Sequence, residues 1–251
     1  ELLVGGSHNK YGNRLDGIDK VKISEKTYDG VKQEVEETGL TEDNFEKIMK
    51  MINLPNGIIL VTGATGTGKS TTVYSILQRL NREEANIITV EDPVEMDIPG
   101  VNQVQVNSEI GLTFANVLRS ILRQDPDIIL VGEIRDKETG EIAIQAGQTG
   151  HYVLSTIHTI NAVEVITRLR KMGLSDYDVA STLATIISQR LVRKLCTKCR
   201  KERPFTEEEK QIIEKIGKKY GVEYNLNGMT YDAIGCKHCN NTRFFDTIGV
   251  F

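Results

Sequence analysis

A glycine-rich segment constrains the fold of this 251-residue chain more than any other feature. Residues 63–70 match the pattern G-x-x-x-x-G-K-[ST] in full. The run before it, 58–62, is apolar and β-branched, as in a strand buried on both faces, and the run after it, 69–80, has the pattern of a helix. A strand, a glycine-rich turn and a helix in this order predict an α/β fold.

Strand and helix patterns continue to alternate along the chain. Mostly apolar segments at 87–90, 127–131 and 152–157 predict a second, third and fourth strand, and helices are predicted at 113–123 and 138–146. This alternation predicts a wound, mostly parallel sheet that extends to about residue 193.

Capping residues predict three more helices. Thr41 can cap one, and Thr206 opens another with Glu209 in a capping box. Ser175 and Asp178 predict a helix with its inward face on the residues Val179, Leu183, Ile186 and Ile187.

The glycine-rich segment predicts a phosphate-binding loop. Its glycines let successive amides point into one concavity, and the helix N-terminus adds a partial positive charge there. Lys69 would neutralise the β- and γ-phosphates of a nucleotide, and the Ser70 hydroxyl would ligate Mg²⁺. The predicted nucleotide-binding residues are Gly63, Thr65, Gly66, Thr67, Gly68, Lys69, Ser70 and Thr71.

Four candidate catalytic residues follow predicted strands. Glu91 and Glu95 come after the second strand, Glu133 after the third, and His158 after the fourth. Because the carboxyl ends of parallel strands meet at one sheet edge, these side chains are predicted beside the loop, where a hydrolase needs carboxylates. A solvent-exposed acidic turn at 91–95 and a structural role for His158 remain alternatives.

The four cysteines predict a metal site. Cys196 and Cys199 form one C-x-x-C pair, Cys236 and Cys239 form another, and 36 residues separate the pairs. No signal peptide precedes them, so tetrahedral Zn²⁺ is favoured over disulfides or unrelated buried thiols. His238, inside the second pair, is the rival ligand.

Composition excludes several classes of protein. Lys and Arg total 31 and Asp and Glu total 35, so the net charge of −4 gives no global basic field for nucleic acid. The longest apolar runs have four residues, too few to span a bilayer. Residue 1 is not Met, so we expect the true start of the gene product to be missing.

Four motifs in order resemble the secretion-superfamily ATPases, the hexameric motors of type II secretion and type IV pili. They are the loop, the acidic stretch 89–95, the segment 122–136 and the segment 149–159. The resemblance covers about 41–251 and implies a P-loop (RecA-like) fold with ATP, Mg²⁺ and Zn²⁺ as cofactors. A tetracysteine module resembles that of extension or secretion motors, and its presence disfavours pilus retraction.

The resemblance also implies residue roles. Glu95 matches the family's candidate for polarising the attacking water, with Glu91 in support. Glu133 matches the atypical Walker B glutamate, which acts on Mg²⁺ through water, with Gly132 where ordinary P-loop enzymes place Asp. His158 matches the histidine that senses the γ-phosphate.

The same resemblance implies a division of the chain into three regions, and an assembly, a location and a partner. Residues 1–40 are expected to be a remnant of an N-terminal domain or a linker, 41–193 the P-loop ATPase core, and 194–251 the tetracysteine module with a C-terminal segment. Family members continue past the last residue with a stretch like residues 1–4, so a truncated or rearranged chain is expected. The implied assembly is a homo-hexamer in the cytoplasm, peripheral to the inner face of the cytoplasmic membrane, with an inner-membrane platform protein as partner.

Other functions fit the sequence less well. The main alternative is a zinc-containing motor acting on nucleic acid, since residues 190–203 carry seven Lys or Arg and one Glu. The segment lacks interleaved aromatic residues for base stacking, so no nucleic-acid partner is expected. A GTPase is disfavoured by the lack of an N-K-x-D motif, and a non-catalytic zinc scaffold by the intact loop.

Overall fold

The structure is a computed structural model that describes residues 42–251. The predicted Thr41 cap and the segment 1–40 lie outside the described residues. The described chain divides into two compact units: the first ends at Leu191 and also includes Gly249–Phe251, and the second is Val192–Ile248. Within residues 42–251, no helix is both long and apolar enough to cross a membrane.

The first unit is built on a six-stranded sheet. Its strands are β1 (Gly57–Thr62), β2 (Ile87–Glu91), β3 (Asn102–Gln105), β4 (Ile128–Val131), β5 (Tyr152–Ile157) and β6 (Leu183–Ser188). Its helices are α1 (Glu42–Ile52), α2 (Lys69–Leu80), α3 (Phe114–Ile121), α4 (Lys137–Gln148), α5 (Ala162–Lys171) and α6 (Asp176–Thr182). The strand order is β3-β2-β4-β5-β1-β6 and all neighbouring pairs are parallel, which confirms the predicted α/β fold.

Helices cover both faces of this sheet, which explains the continuous apolar runs of its inner strands. On one face, Leu60 lies in a buried cluster with Leu118 of α3. On the other face, Ile59 lies in a second cluster with Leu77 of α2 and Ile52 of α1. All residues of β1 and β5 are buried, so the loops at their carboxyl ends project from a rigid edge.

Two strands of the six-stranded sheet differ from the sequence-based prediction. The helix predicted from Ser175 ends at Thr182, so its expected inward face is wrong beyond that point. Residues 183–188 instead form β6, where Ile186 pairs with Leu60 of β1. Strand β3 was not predicted, because its sequence, Asn-Gln-Val-Gln, has no apolar alternation.

The second unit contains short strands and one helix. Strand β7 (Arg190–Leu195) pairs with β10 (Phe244–Val250), and β8 (Arg200–Pro204) is antiparallel to β9 (Met229–Ala233). Helix α7 (Glu207–Tyr220) lies between β8 and β9 in the chain. Its predicted capping box is confirmed, because the side chains of Thr206 and Glu209 each accept a hydrogen bond from the other's backbone N–H.

Candidate functional site

The glycine-rich loop joins β1 to α2 in a conformation that its glycines allow. Gly66 and Gly68 have φ values of +75° and +81°, in the left-handed region. A Cβ on Gly63 would lie only 2.4 Å from the carbonyl oxygen of Gln189. Because α2 begins at Lys69, the positive end of its dipole lies at the loop.

Lys69 is held inside this loop. Its Nζ donates to the carbonyl oxygens of Gly63 at 3.1 Å and Ala64 at 3.0 Å. Burial lowers the pKa of Lys69, and the negative charge of Glu133 raises it in part. The ammonium charge is therefore placed within the loop, next to a carboxylate.

A cleft with an empty volume of about 780 Å³, part of it open to solvent, lies at the carboxyl edge of the sheet. The structure brings the four candidate catalytic residues, Glu91, Glu95, Glu133 and His158, to this cleft. It also brings there the loop residues Thr65, Gly66, Lys69 and Ser70. The other predicted nucleotide-binding residues, Gly63, Thr67, Gly68 and Thr71, belong to the same loop and the first turn of α2.

Glu133 lies just beyond β4 and contacts two cationic or ionisable partners. Its carboxylate forms an ion pair with Arg135 and lies 3.6 Å from Nε2 of His158. Its side chain is 14% exposed, whereas those of Arg135 and His158 are 57% and 51% exposed. The hydrogen bond to Glu133 is the main cause that raises the pKa of Arg135. Glu133 is thus a mostly buried carboxylate whose partners reach solvent.

The residue before Glu133 lies in a tight space. A Cβ on Gly132 would be 3.3 Å from both Cα of Glu91 and the carbonyl oxygen of Val90, and 3.6 Å from Cε1 of Phe114. Because two of these neighbours are backbone atoms of β2, they cannot move aside by a change of rotamer. A glycine lets the ends of β2 and β4 approach closely at the cleft.

Glu95 lies beside Ser70. The Ser70 hydroxyl donates to Oε1 of Glu95 at 3.0 Å. A cation bound by this hydroxyl would therefore have a carboxylate next to it, which suits Mg²⁺ because that ion prefers oxygen ligands.

Glu91 is 4% exposed and is bound from several sides. One oxygen, Oε1, accepts hydrogen bonds from Thr89 at 2.5 Å and Gln103 at 3.1 Å. The other, Oε2, accepts one from the Tyr74 hydroxyl. Both carboxylate oxygens of Glu91 are therefore engaged by protein donors.

Three residues at this edge were not predicted as site residues. Arg135 lies within a motif already noted, and Tyr74 lies one helical turn after Ser70, so helical spacing could have identified it. Gln189 is 4% exposed, and its Oε1 accepts from the Thr72 hydroxyl at 2.7 Å. It follows β6, which the sequence pattern assigned to a helix.

The four cysteine thiols lie within 4.8 Å of one another in the second unit. The Sγ atoms are 3.8 Å apart for Cys196 and Cys236, 3.9 Å for Cys199 and Cys239, and 3.8 Å for Cys236 and Cys239. A tetrahedron with Zn–S bonds of about 2.3 Å has S···S edges of about 3.8 Å, whereas a disulfide is about 2.05 Å long. The cluster has the dimensions of a Zn–Cys₄ site.

The surroundings of the cluster also suit a metal. Cys196, Cys199 and Cys239 are buried, and Cys236 is partly buried. Burial raises the pKa of Cys239, but backbone hydrogen bonds from Cys236 and Arg243 outweigh it and bring this pKa to about 6, whereas burial brings the pKa of Cys199 to about 12. Cys239 is thus the one of these two thiols that ionises more readily. His238 is exposed, and its ring packs on Phe245 with centroids 4.2 Å apart.

Comparisons with known proteins give related sequences. A profile of the family described as "Type II/IV secretion system protein" matches residues 20–251. The chain is 46% identical over 250 residues to the type II secretion system protein E of Aeromonas hydrophila, which covers 100% of this chain and 47% of that protein. It is 52% identical over 205 residues to the type IV pilus assembly ATPase PilB of Acinetobacter baylyi, which covers 82% of this chain and 35% of that protein.

A solved structure is also similar. The crystal structure of the pilus retraction motor PilT with bound ADP matches with a TM-score of 0.57 and 35% identity, over 72% of this chain and 56% of that one. The chain spans about half the length, or less, of the curated relatives it matches. The resemblance inferred from the motifs is confirmed, and the chain belongs to the type II/IV secretion system protein family.

Proposed function

We propose that this chain is the ATP-hydrolysing core of a motor that powers assembly of a type IV pilus or of a type II secretion pseudopilus. The observation that carries the proposal is the cleft at the carboxyl edge of the sheet. It contains the loop lysine, the loop serine and acidic residues that follow two neighbouring parallel strands. Relatives named for type II secretion and for type IV pilus assembly, and a similar motor solved with ADP, support it.

In this proposal the loop holds the nucleotide. Backbone amides from Gly66 to Thr71 bind the phosphates, and Lys69 neutralises the β- and γ-phosphates. To do so, Nζ of Lys69 exchanges its two carbonyl acceptors for phosphate oxygens. Ser70 would be the direct protein ligand of Mg²⁺, and Glu133 would act on it through water. When bound, Mg²⁺ supplies positive charge against the charge that develops during phosphoryl transfer.

Glu95 and His158 have separate roles in this proposal. We assign to Glu95 the orientation of the attacking water, because its carboxylate lies beside the Ser70 hydroxyl. His158 contacts the Glu133 carboxylate and is half exposed to the cleft, which suits a residue that responds to the γ-phosphate.

The proposed setting follows the family. Residues 41–193 would form the ATPase core and 194–251 the tetracysteine module with the C-terminal segment. The protein would act as a homo-hexamer in the cytoplasm, at the inner face of the cytoplasmic membrane, on an inner-membrane platform protein. Head-to-tail contacts between subunits close into rings, which lets one subunit complete the site of the next.

An ATPase assay tests the proposal directly. The protein expressed from its complete gene is expected to release phosphate from ATP in the presence of Mg²⁺, and faster with its platform partner. Binding of ATP without any phosphate release, with and without that partner, would contradict the proposal.

We also propose that Cys196, Cys199, Cys236 and Cys239 hold one structural Zn²⁺ per chain. Their spacing and mutual distances support this, and four protein ligands leave no open position for a reacting water. A metal that links the two cysteine pairs would close the 36-residue segment between them. The buried cluster of this unit consists of the cysteines themselves with Ala233, so it provides little other apolar packing.

Removing the metal is expected to loosen the second unit only. After chelation, or in Cys236→Ser, hydrogen exchange should rise across Val192–Ile248. ATP binding at the loop should persist. As a control, His238→Ala should retain zinc, because the ring lies against Phe245 and outside the thiol cluster. Metal analysis without zinc, or a disulfide within either pair, would remove this proposal.

The basic segment 190–203 favours the motor over the nucleic-acid alternative. Five of its seven basic residues have partners within the protein, and one of them, Arg190, donates to the carbonyl oxygen of Ile160 at 3.3 Å. Arg193 lies over the ring of Phe244 and Arg200 over that of Tyr231, while Lys194 pairs with Asp246 and Arg203 with Glu209 and Asp232. These groups stabilise the module and are not arranged as a free phosphate-binding surface.

DNA is therefore expected to leave the rate of ATP hydrolysis unchanged. The check is phosphate release with single-stranded and double-stranded DNA at low salt, where electrostatic binding is strongest. A several-fold increase in rate would favour the nucleic-acid motor instead.

A further inference from the structure

The hydroxyl of Tyr74 joins two parts of the cleft. Tyr74 lies on α2, one turn after Ser70, and is 5% exposed. Its hydroxyl donates to Oε2 of Glu91 and accepts from the backbone N–H of Glu95 at 3.2 Å. The hydroxyl thus acts both as a donor and as an acceptor, and both of its partners belong to the acidic stretch 89–95.

The segment 92–98 that carries Glu95 also has other anchors: Asp92 pairs with Arg135 at 3.5 Å, Ser70 donates to Glu95, and Ile98 O accepts from Val101 N at 3.2 Å. We call this segment the acidic loop. Gln103 of β3 accepts from Ile98 N at 2.7 Å and donates to Met96 O at 3.0 Å. Gln105 accepts from Val94 N at 3.3 Å. The Tyr74 hydroxyl thus holds the backbone of Glu95 from the α2 side, while the Ser70 hydroxyl contacts the Glu95 carboxylate.

Glu91 determines that the Tyr74 hydroxyl donates to Glu91 and accepts from Glu95. Its two oxygens accept from Tyr74, Thr89 and Gln103, so the carboxylate cannot rotate without losing a donor. Burial, followed by the hydrogen bond to Glu91, raises the pKa of Tyr74 to about 12. The hydroxyl stays protonated at physiological pH, so it donates to Glu91 and accepts from Glu95.

We propose that Tyr74 is a positioning residue that links Glu91 to the backbone of Glu95 and so holds the Glu95 carboxylate against Ser70. Glu91 then acts through Tyr74, without contact with the nucleotide. The kinetic consequence rests on the proposed ATPase function, whereas the structural consequence for the acidic loop does not.

The kinetic test is Tyr74→Phe in the protein expressed from its complete gene. We expect kcat to fall about tenfold or more, because a small displacement of a water-orienting group is costly, while KM for ATP changes less than about twofold. The matched control is Tyr152→Phe, which removes another buried hydroxyl that donates to Met51 O at 3.1 Å, away from the cleft. A kcat for Tyr74→Phe within twofold of the control value would overturn the proposal.

A double variant separates positioning from general destabilisation. Glu91→Gln should lower kcat to a similar extent, and the Tyr74→Phe, Glu91→Gln pair should lower it no further than the larger single effect, because both changes break one link. Additive losses would overturn the proposal.

Hydrogen exchange tests the link without catalysis. Amides of residues 92–98 should exchange faster in Tyr74→Phe than in wild type or in Tyr152→Phe, with the rest of the first unit unchanged. If wild type shows no hydrolysis but exchange responds in this way, the proposed function fails and the link stands. Unchanged exchange at 92–98 would overturn the link.

Discussion

Replacement of Glu133 by glutamine is expected to lower ATP turnover by about 10²-fold or more while ATP still binds. The change keeps the side-chain volume but removes the charge that pairs with Arg135 and lies near His158. The loop, which binds the phosphates in our proposal, is untouched. Phosphate release and fluorescent nucleotide binding, measured together, distinguish the two effects.

Glu138→Gln is the matched control for this variant. Glu138 lies on α4, where its exposed carboxylate pairs with the exposed Arg119. Such surface pairs contribute little, so stability and turnover should remain close to wild type. Turnover of Glu133→Gln at the wild-type rate would show that the end of β4 does not contribute to catalysis.

Replacement of Lys69 by alanine is expected to abolish hydrolysis and to weaken ATP binding about 10- to 100-fold, as for the loss of a charged hydrogen bond. The reason is that Lys69 places a buried ammonium group inside the loop, where it is held by two carbonyl oxygens, and alanine removes this charge. Isothermal titration with ATP and ADP gives the affinities, and phosphate release gives the rate.

The stability of this variant needs its own measurement. Lys69→Ala also leaves the carbonyl groups of Gly63 and Ala64 without their donor. A thermal melt therefore accompanies the titration, with Lys137→Ala as the control, because Lys137 is exposed and pairs with Glu141 on the same helix. Wild-type hydrolysis by a folded Lys69→Ala protein would exclude the loop as the ATP site.

Local signals predicted the elements around the site well. Helix α2 and strand β5 have the predicted bounds, because a glycine-rich turn and a mostly apolar segment are features of the sequence itself. The carboxyl ends of β2, β4 and β5 then brought Glu95, Glu133 and His158 to one cleft, as the geometry of a parallel sheet requires.

Non-local contacts decided what the sequence did not predict. The spacing of Val179, Leu183 and Ile186 fits a helix face, but pairing with β1 makes 183–188 a strand. Gln189 is bonded to Thr72, a residue 117 positions away in the chain. No local pattern contains that information, and the same holds for the bond between Tyr74 and the backbone of Glu95.

The close approach of β2 and β4 at Gly132 limits which side chains position 132 can carry. By the family resemblance, Gly132 corresponds to the position where ordinary P-loop enzymes carry Asp, and a Cβ there would be 3.3 Å from backbone atoms of Val90 and Glu91. A larger residue at position 132 would require the ends of β2 and β4 to move apart by a few tenths of an ångström. A carboxylate at position 132 would thus disturb the spacing of the two strands, whereas the acidic role that we propose for Glu133 leaves that spacing as it is.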